Sequence, residues 1–278
     1  MALRREAVEA FLDKGPAMLV RVESARGSTP RDAGAWMLAS ERRTLGTIGG
    51  GQLEYMAIDA ARALLGRGGI RQVLDIPLGP EIGQCCGGRT RMTVVRAEGA
   101  TLERLLALVA KERAALPSVY VLGAGHVGRA LATALQLLPI RPVLVDGREE
   151  ELSMGPGGVE RVLTPLPEEI VRRAPPGSAF VVLTHDHALD FLITREALAR
   201  GDAAYVGMIG SRTKLVSFRR WLAGAGEVDT GGLVCPIGRA GRPDKRPEVI
   251  AAFVAAEIMQ SIAAWRAGPV EVTRAHAN

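Results

Sequence analysis

The chain has 278 residues, of which 47% are hydrophobic, and its 35 basic and 30 acidic side chains give a net charge of +5. This length and composition suffice for two domains of ordinary size with real cores, which argues against disorder. Aromatic residues make up only 4% and no dense basic cluster occurs, so no nucleic acid partner is expected, whereas mild basicity suits an anionic small ligand or an acidic protein.

The segment up to about residue 100 is predicted to be an N-terminal α/β domain, with strands expected at 17–25, 36–39, 71–76 and 89–95. A glycine-rich turn, 46–51, contains Gly49, Gly50 and Gly51 and leads into a helix with an apolar face. Unpaired backbone N–H groups at such a turn favour an anion. The alternative is a tight turn with a structural role only.

Two adjacent cysteines are the most unusual feature of this first domain. They lie in the run Gly83-Gln84-Cys85-Cys86-Gly87-Gly88. The flanking glycines let a bulky ligand approach the backbone closely. Because neighbouring residues of an extended chain point to opposite sides, only one of the two sulfurs is expected to face a ligand. The alternative is that both thiols are small apolar groups packed in a turn.

Residues 101–117 are predicted to form a connecting helix, and residues 118–278 a second domain. A short buried strand, 118–122, runs into Gly123-Ala124-Gly125-His126-Val127-Gly128, and a helix and a second strand ending at Asp146 follow. This order is the dinucleotide-binding fingerprint in its required context, and it predicts a Rossmann-like, doubly wound parallel sheet. Further strands are expected at 161–164, 180–183, 204–208 and 233–235, and a final helix from Pro247.

Polar residues near the ends of these strands are candidate ligand contacts. Asp146 is expected to accept hydrogen bonds from a ribose, and Arg148 to bind a ribose phosphate, unless the nucleotide site is vestigial or repurposed. In an extended Thr184-His185-Asp186-His187 segment, His185 and His187 would point the same way, as metal ligands, as a proton-transfer pair or as structural groups. His126 would project into the same crevice.

Ser211 and Lys214 belong to the start of a later helix. Its backbone donors, a hydroxyl and an ammonium would suit a phosphate. An ordinary helix cap is the alternative.

These motifs together resemble those of the xanthine dehydrogenase accessory protein family of the XdhC/CoxI type. The matching strings occur in order over nearly the whole chain: 27–31, 46–51 followed by Leu53-Glu54, 83–88, 123–128, 184–187 with Asp190, 205–211 with Lys214, and 235–238. One departure is Asp146-Gly147-Arg148, where the resemblance leads us to expect an acidic pair before the arginine. This departure weakens the predicted ribose contact.

The resemblance implies a molybdenum cofactor chaperone rather than an enzyme. Such proteins bind Mo-molybdopterin, hold it while a cysteine desulfurase exchanges an oxo ligand for a sulfide, and deliver it to the molybdenum subunit of xanthine dehydrogenase. Backbone donors suit the anionic, phosphate-bearing pterin, and a thiolate suits molybdenum with its soft sulfur ligands. Cys85 is therefore expected near molybdenum, with Cys86 as the alternative and Gln84 beside them.

The competing hypothesis is an NAD(P)-dependent oxidoreductase that uses the Rossmann domain, with His185 or His187 as acid/base. The crevice would then hold a nucleotide instead of pterin. Three cysteines, an odd number, argue for reduced thiols, and the chain shows neither a secretory signal nor a run of roughly 20 apolar residues. We expect a cytoplasmic protein without a membrane partner, and a homodimer because the terminal helix is long and apolar.

Overall fold

The computed structural model describes residues 5–79, 87–224, 229–239 and 244–268. The chain divides into two compact units, Ala2–Ala114 and Ala115–Asn278. The first contains an antiparallel sheet and the second a parallel sheet. The predicted α/β fold class, with a Rossmann-like second part, is confirmed.

The first unit is a five-stranded sheet with the strand order β3-β2-β1-β5-β4. Its elements are α1 (Arg5–Leu12), β1 (Ala17–Arg26), β2 (Trp36–Ser40), β3 (Thr44–Gly46), α2 (Gly51–Gly66), β4 (Arg71–Pro77), β5 (Arg89–Arg96) and α3 (Gly99–Ala114). The four predicted strands are present. The sequence did not indicate α1 and β3, because elements this short carry little periodic signal.

Side chains of β1 alternate between two cores, as the pleat of a strand requires. Met18 and Val20 pack with α2 on one face of the sheet. Leu19 packs on the other face, where Phe11 of α1 and Leu105 of α3 are buried. The predicted connecting helix thus corresponds to α3, and its apolar side packs within the first unit.

The second unit is a six-stranded parallel sheet with the order β11-β10-β9-β6-β7-β8. Its elements are β6 (Ser118–Leu122), α4 (His126–Leu135), β7 (Arg141–Asp146), α5 (Glu149–Ser153), β8 (Glu160–Leu163), α6 (Pro167–Arg173), β9 (Ala179–Val182), α7 (His187–Ala199), β10 (Tyr205–Met208), α8 (Arg212–Ala223), β11 (Leu233–Val234) and α9 (Pro247–Ala267). This is the strand order of dinucleotide-binding folds. All strands are parallel, and strands are added outward from β6 on one side and from β9 on the other, so the order reverses between β6 and β9.

Both faces of this sheet are covered by helices. Leu131 of α4 and Ile258 of α9 are buried on one face, and Ile193 of α7 and Phe218 of α8 on the other. Every residue of β6 is buried, which explains the continuous apolar run that marks this strand in the sequence.

Among the described helices, α9 is long and apolar enough to cross a membrane. The sequence contains no uninterrupted run of roughly 20 apolar residues, from which no such segment is expected. The helix differs from this expectation because its mean hydropathy stays high despite its few polar residues. Val254 and Ile258 of α9 are buried in the core, and its Glu257 accepts a hydrogen bond from the Tyr205 hydroxyl at 2.9 Å. Core helices pass the same test of length and composition, so this feature alone is weak support for a membrane span.

Candidate functional site

Three segments of the first unit meet at one end of its sheet: the polar turn after β1, the glycine-rich turn before α2 and the end of the cysteine-containing run. A Cβ atom added to Gly49, in the turn before α2, would lie 2.5 Å from the Pro30 side chain, in the turn after β1. A Cβ on Gly88 would lie 2.3 Å from the Ser28 carbonyl oxygen, and Ser28 forms a parallel β-bridge with Gly87. The turn after β1 therefore contacts both the turn before α2 and the end of the cysteine-containing run.

The turn before α2 already contains an anion, the carboxylate of Glu54. Its Oε2 accepts hydrogen bonds from the N–H groups of Ile48 at 3.0 Å and Gly50 at 3.1 Å, and from the Thr47 hydroxyl at 2.5 Å. The Gly49 N–H donates to the Thr47 hydroxyl at 3.1 Å. Positive φ angles of +126°, +78° and +65° explain the glycines at Gly49, Gly50 and Gly51. A ligand that uses the Gly50 donor must displace Glu54.

Gln84, Cys85 and Cys86 lie outside the described residues. Their predicted contacts with the cofactor, and the molybdenum ligand predicted at Cys85, stay predictions. The described end of their run, Gly87-Gly88, lies against the turn after β1.

Two turns of the second unit touch at the point where its strand order reverses. A Cβ on Gly123, in the fingerprint turn, would lie 2.3 Å from the carbonyl oxygen of Leu183 and 2.9 Å from the Thr184 nitrogen. Open α/β sheets bind ligands in this crevice, outside the carboxyl ends of the strands. The structure thus brings together the fingerprint and the histidine-containing segment.

The fingerprint glycines differ in what the protein itself requires of them. A Cβ on Gly128 would lie 1.9 Å from the Gly123 carbonyl oxygen, whereas a Cβ on Gly125 would meet no atom of the described residues within 4 Å. Gly125 has φ −66° and precedes α4, which has no side-chain cap. His126 opens that helix and is exposed. An uncapped helix start with open space above a glycine can bind an anionic group through backbone N–H donors.

The Asp146 carboxylate, expected to bind a ribose, is engaged within the protein. It accepts hydrogen bonds from the Ala124 N–H at 2.7 Å and from the Arg148 N–H and guanidinium at 3.0 Å. Burial of Asp146 raises its pKa, but the hydrogen bonds from Arg148 and the backbone outweigh burial and hold that pKa below its usual range. Arg148, expected to bind a ribose phosphate, folds back onto Asp146. A ribose would have to compete for the same oxygens.

His185 and His187 do not lie in one extended segment, because α7 begins at His187. Asp186 between them caps this helix and accepts from the N–H groups of Ala188 at 2.7 Å and Leu189 at 3.3 Å, which holds the pKa of Asp186 below its usual range. Both histidines are exposed. Within the described ranges, no group of three or more His, Cys, Asp or Glu side chains is placed to hold a metal ion.

A buried ion pair, Asp190 with Lys214, lies beside the crevice. Asp190 is fully buried and accepts from the Thr184 N–H at 2.9 Å, the Thr184 hydroxyl at 2.7 Å and the Lys214 ammonium. The Lys214 ammonium also donates to the Ile209 carbonyl at 3.0 Å. The backbone N–H of Lys214 donates to the Ser211 hydroxyl at 3.2 Å. The ammonium expected to bind a phosphate is therefore directed at Asp190, and Ser211 is the cap of α8.

Tyr205 and Glu257 form a second internal contact that sequence patterns did not reveal. A Cβ on Gly207 would lie 2.5 Å from the Tyr205 ring, so the ring lies over this glycine. Glu257 accepts from the Tyr205 hydroxyl at 2.9 Å and from the N–H groups of Gly238 at 3.0 Å and Arg239 at 3.3 Å. Burial, reinforced by Glu257, raises the pKa of Tyr205 far above its usual range. This contact anchors the segment after β11 to α9.

Cys235 directly follows β11 and is partly buried. Burial raises the pKa of its thiol even though Lys214 and Arg219 act in the opposite direction. The thiol, rather than the nucleophilic thiolate, therefore predominates near neutral pH.

Two models of one protein family match successive parts of the chain. The XdhC Rossmann domain model matches residues 119–258, about half of the chain, and the XdhC and CoxI family model matches residues 11–76. The uncharacterized protein YqeB of Escherichia coli K12 is 26% identical over 272 residues, which are 94% of this chain and 46% of that protein. The chain thus spans about half the length of this curated relative.

A crystal structure described as a xanthine dehydrogenase from Bacillus halodurans has the same fold. It superposes with a TM-score of 0.73 at 18% identity, and the alignment covers 98% of each chain.

Proposed function

The chain belongs to the XdhC and CoxI family, and we propose that it is an accessory protein of xanthine dehydrogenase maturation that acts as a molybdenum cofactor chaperone. In this role it binds Mo-molybdopterin, protects it while a cysteine desulfurase supplies the sulfide ligand, and delivers it to the molybdenum subunit. We place this activity in the cytoplasm and expect a homodimer.

The observation that carries this proposal is the convergence of the polar turn after β1, the glycine-rich turn before α2 and the end of the cysteine-containing run in the first unit. The turn after β1 contacts Gly49 on one side and Gly87-Gly88 on the other. The run that ends at Gly88 contains both Cys85 and Cys86. These contacts bring the turn after β1, the turn before α2 and the end of the cysteine-containing run together, and a thiolate is a ligand that a soft metal site prefers.

The second unit supplies an anion site of its own. The uncapped start of α4 and the open space above Gly125 fit a phosphate group. When bound, the cofactor would supply molybdenum, its sulfur ligands and a phosphate. In the second unit by itself, the N–H groups at the start of α4 would bind and orient an anionic group, while Gly125 leaves room for its close approach.

The second candidate function, an NAD(P)-dependent oxidoreductase, is favoured by the strand order of the second unit. The Asp146–Arg148 pair speaks against it, because a nucleotide ribose would have to replace hydrogen bonds that Arg148 already makes. Family membership also points to an accessory role. Turnover of reduced nicotinamide cofactor by the purified protein would support this second candidate.

The test of the chaperone proposal is retention of the cofactor by cysteine variants. The full chain is purified from a host that makes the cofactor, and bound molybdenum and oxidised, fluorescent pterin are measured. Either Cys85→Ala or Cys86→Ala should lower bound molybdenum by about tenfold, because only one of two neighbouring side chains faces a ligand. Cys235→Ala is the matched control and should retain wild-type levels, since its thiol is protonated.

The same assay separates the candidate functions. Wild-type protein that contains neither molybdenum nor pterin, yet oxidises NADH or NADPH, would contradict the chaperone proposal. Wild-type levels of molybdenum in both neighbouring variants would show that the cysteine pair only packs.

A further inference from the structure

A groove of about 510 Å³ lies on the first sheet, on the face opposite α2 and beside α3. Its floor is apolar and consists of Leu19, Trp36, Val95, Leu105 and Leu108. Its charged groups are mostly cationic and comprise Arg21, Arg71, Arg96 and Arg104, against Glu23 and Glu98. None of these residues belongs to the glycine-rich turns.

Strand register places two of the arginines around the floor. Arg21 of β1 lies opposite Thr93 of β5, and Arg71 of β4 lies opposite Val95 on the other side of β5. Side chains opposed in this way project from the same face of a sheet. Arg104 belongs to α3, next to Leu105 in sequence, and lines the groove from the helix side.

The charges of this groove are not balanced within the described residues. Arg96 approaches Glu98 at 3.3 Å, whereas Arg21, Arg71 and Arg104 have no carboxylate of a described residue within the 4.0 Å of an ion pair. The Arg96 Nε atom is buried, and it is this atom that lies 3.3 Å from Glu98 Oε2, in ion-pair contact but outside hydrogen-bond geometry. Arg96 is therefore partly neutralised, and the surplus positive charge above the apolar floor comes from Arg21, Arg71 and Arg104, which have the chemistry to bind an anion.

We propose that this groove binds a small organic anion. An apolar or aromatic body lies on the floor beside Trp36, and a carboxylate, sulfonate or phosphate group accepts hydrogen bonds from the arginines. The groove volume falls within the range of roughly 300–1,000 Å³ that is usual for small-molecule sites. The guanidinium groups suit a planar, bidentate contact with such an anion. This site is additional to the cofactor site of the proposed function and does not depend on it.

The test uses 8-anilinonaphthalene-1-sulfonate, an aromatic sulfonate, and its uncharged analogue N-phenyl-1-naphthylamine as fluorescent probes of the full chain. The sulfonate should saturate one site per chain and bind about tenfold more tightly than the analogue. Arg21→Glu and Arg104→Glu should each weaken sulfonate binding by about tenfold and change binding of the analogue by less than about twofold. Circular dichroism and thermal melting verify that each variant is folded.

Lys111→Glu is the matched control, because Lys111 lies on the same helix, is exposed and does not line the groove. It should bind the sulfonate as the wild type does. Arg21→Gln and Arg104→Gln replace the glutamate variants if these do not fold. Absence of sulfonate binding to the wild type, unchanged binding in both arginine variants, or equal weakening by Lys111→Glu would overturn the proposal.

Discussion

Three acidic side chains, Glu54, Asp146 and Asp190, hold the turns that surround the candidate sites. Each accepts backbone N–H donors, and Asp146 and Asp190 also bind Arg148 and Lys214. The donors that attract a ligand anion attract a nearby carboxylate equally well, and the carboxylate is already tethered. We therefore expect an incoming anion to bind where no carboxylate of the described residues reaches, as at the start of α4, or to displace one.

For single residues, Asp146→Asn should make the free energy of unfolding fall less steeply as the pH is lowered. The folded-state pKa of Asp146 lies below the unfolded value of about 3.9, so the unfolded chain binds more protons as the pH falls. The stabilisation by Asp146 is complete above the unfolded pKa and is lost as the pH falls through the folded pKa. Urea unfolding between about pH 5 and pH 2 measures this dependence.

Asp75→Asn is the control for this measurement. The pKa of Asp75 is also lowered, chiefly by a hydrogen bond from Arg89, but both side chains are well exposed and water screens their pair. Its effect on the pH dependence should be the smaller of the two. Identical pH dependence in Asp146→Asn and wild type would contradict the prediction.

Among the elements, the turn between β6 and α4 contains two glycines that the fold requires and one that it does not. Gly123 and Gly128 are required because a Cβ at either position would collide with backbone atoms. Gly125 is not required by any described contact of the protein. Its role is therefore expected to concern what binds above the turn.

Gly128→Ala should lower the free energy of unfolding by about 3 kcal/mol or more, because its Cβ would lie 1.9 Å from the Gly123 carbonyl oxygen. Urea unfolding measures this loss.

Gly125→Leu should fold normally but retain less bound cofactor, since its side chain fills the space above the helix start. The amount of bound molybdenum measures this effect. Gly157→Leu, also in open space at a non-helical position, is the matched control. Wild-type cofactor retention in folded Gly125→Leu would exclude the crevice from binding.

On the scale of the whole molecule, each unit has its own sheet and its own buried clusters. The second unit buries two apolar clusters, one on each face of the parallel sheet. Hydrogen bonds such as Tyr205 to Glu257, and Arg266 to the Ala115 carbonyl, connect its distant ends. A domain that contains its own core can fold independently.

We expect a fragment of residues 115–268 to fold by itself. It should give the circular dichroism spectrum of an α/β domain and a cooperative thermal transition. Leu131→Ala, at a fully buried position, should destabilise the fragment by about 2–5 kcal/mol, as expected for a packed core. A non-cooperative transition, or no effect of Leu131→Ala, would show that the second unit needs the rest of the chain.

Much of the fold could be predicted from local patterns. The continuous apolar run of β6, the fingerprint glycines and Pro247 at the start of α9 all indicated elements that the structure contains. The orientation of His185 and His187 could not be predicted, because it depends on where α7 begins. Asp186 caps that helix, so the extended geometry ends one residue before His187.

Local sequence patterns predicted most of the strands and the Rossmann-like sheet of the second unit, because turn residues and hydrophobic periodicity act over a few neighbouring residues. The motifs in their order along the chain carried the resemblance to the family. The engagement of polar groups with one another became visible only in the folded structure. Ala124 and Asp146 are 22 residues apart, Asp190 and Lys214 are 24 apart, and Tyr205 and Glu257 are 52 apart. Such pairs form only when the packing of the sheet brings their elements together, so no local pattern reveals that a predicted ligand contact already has a partner within the protein.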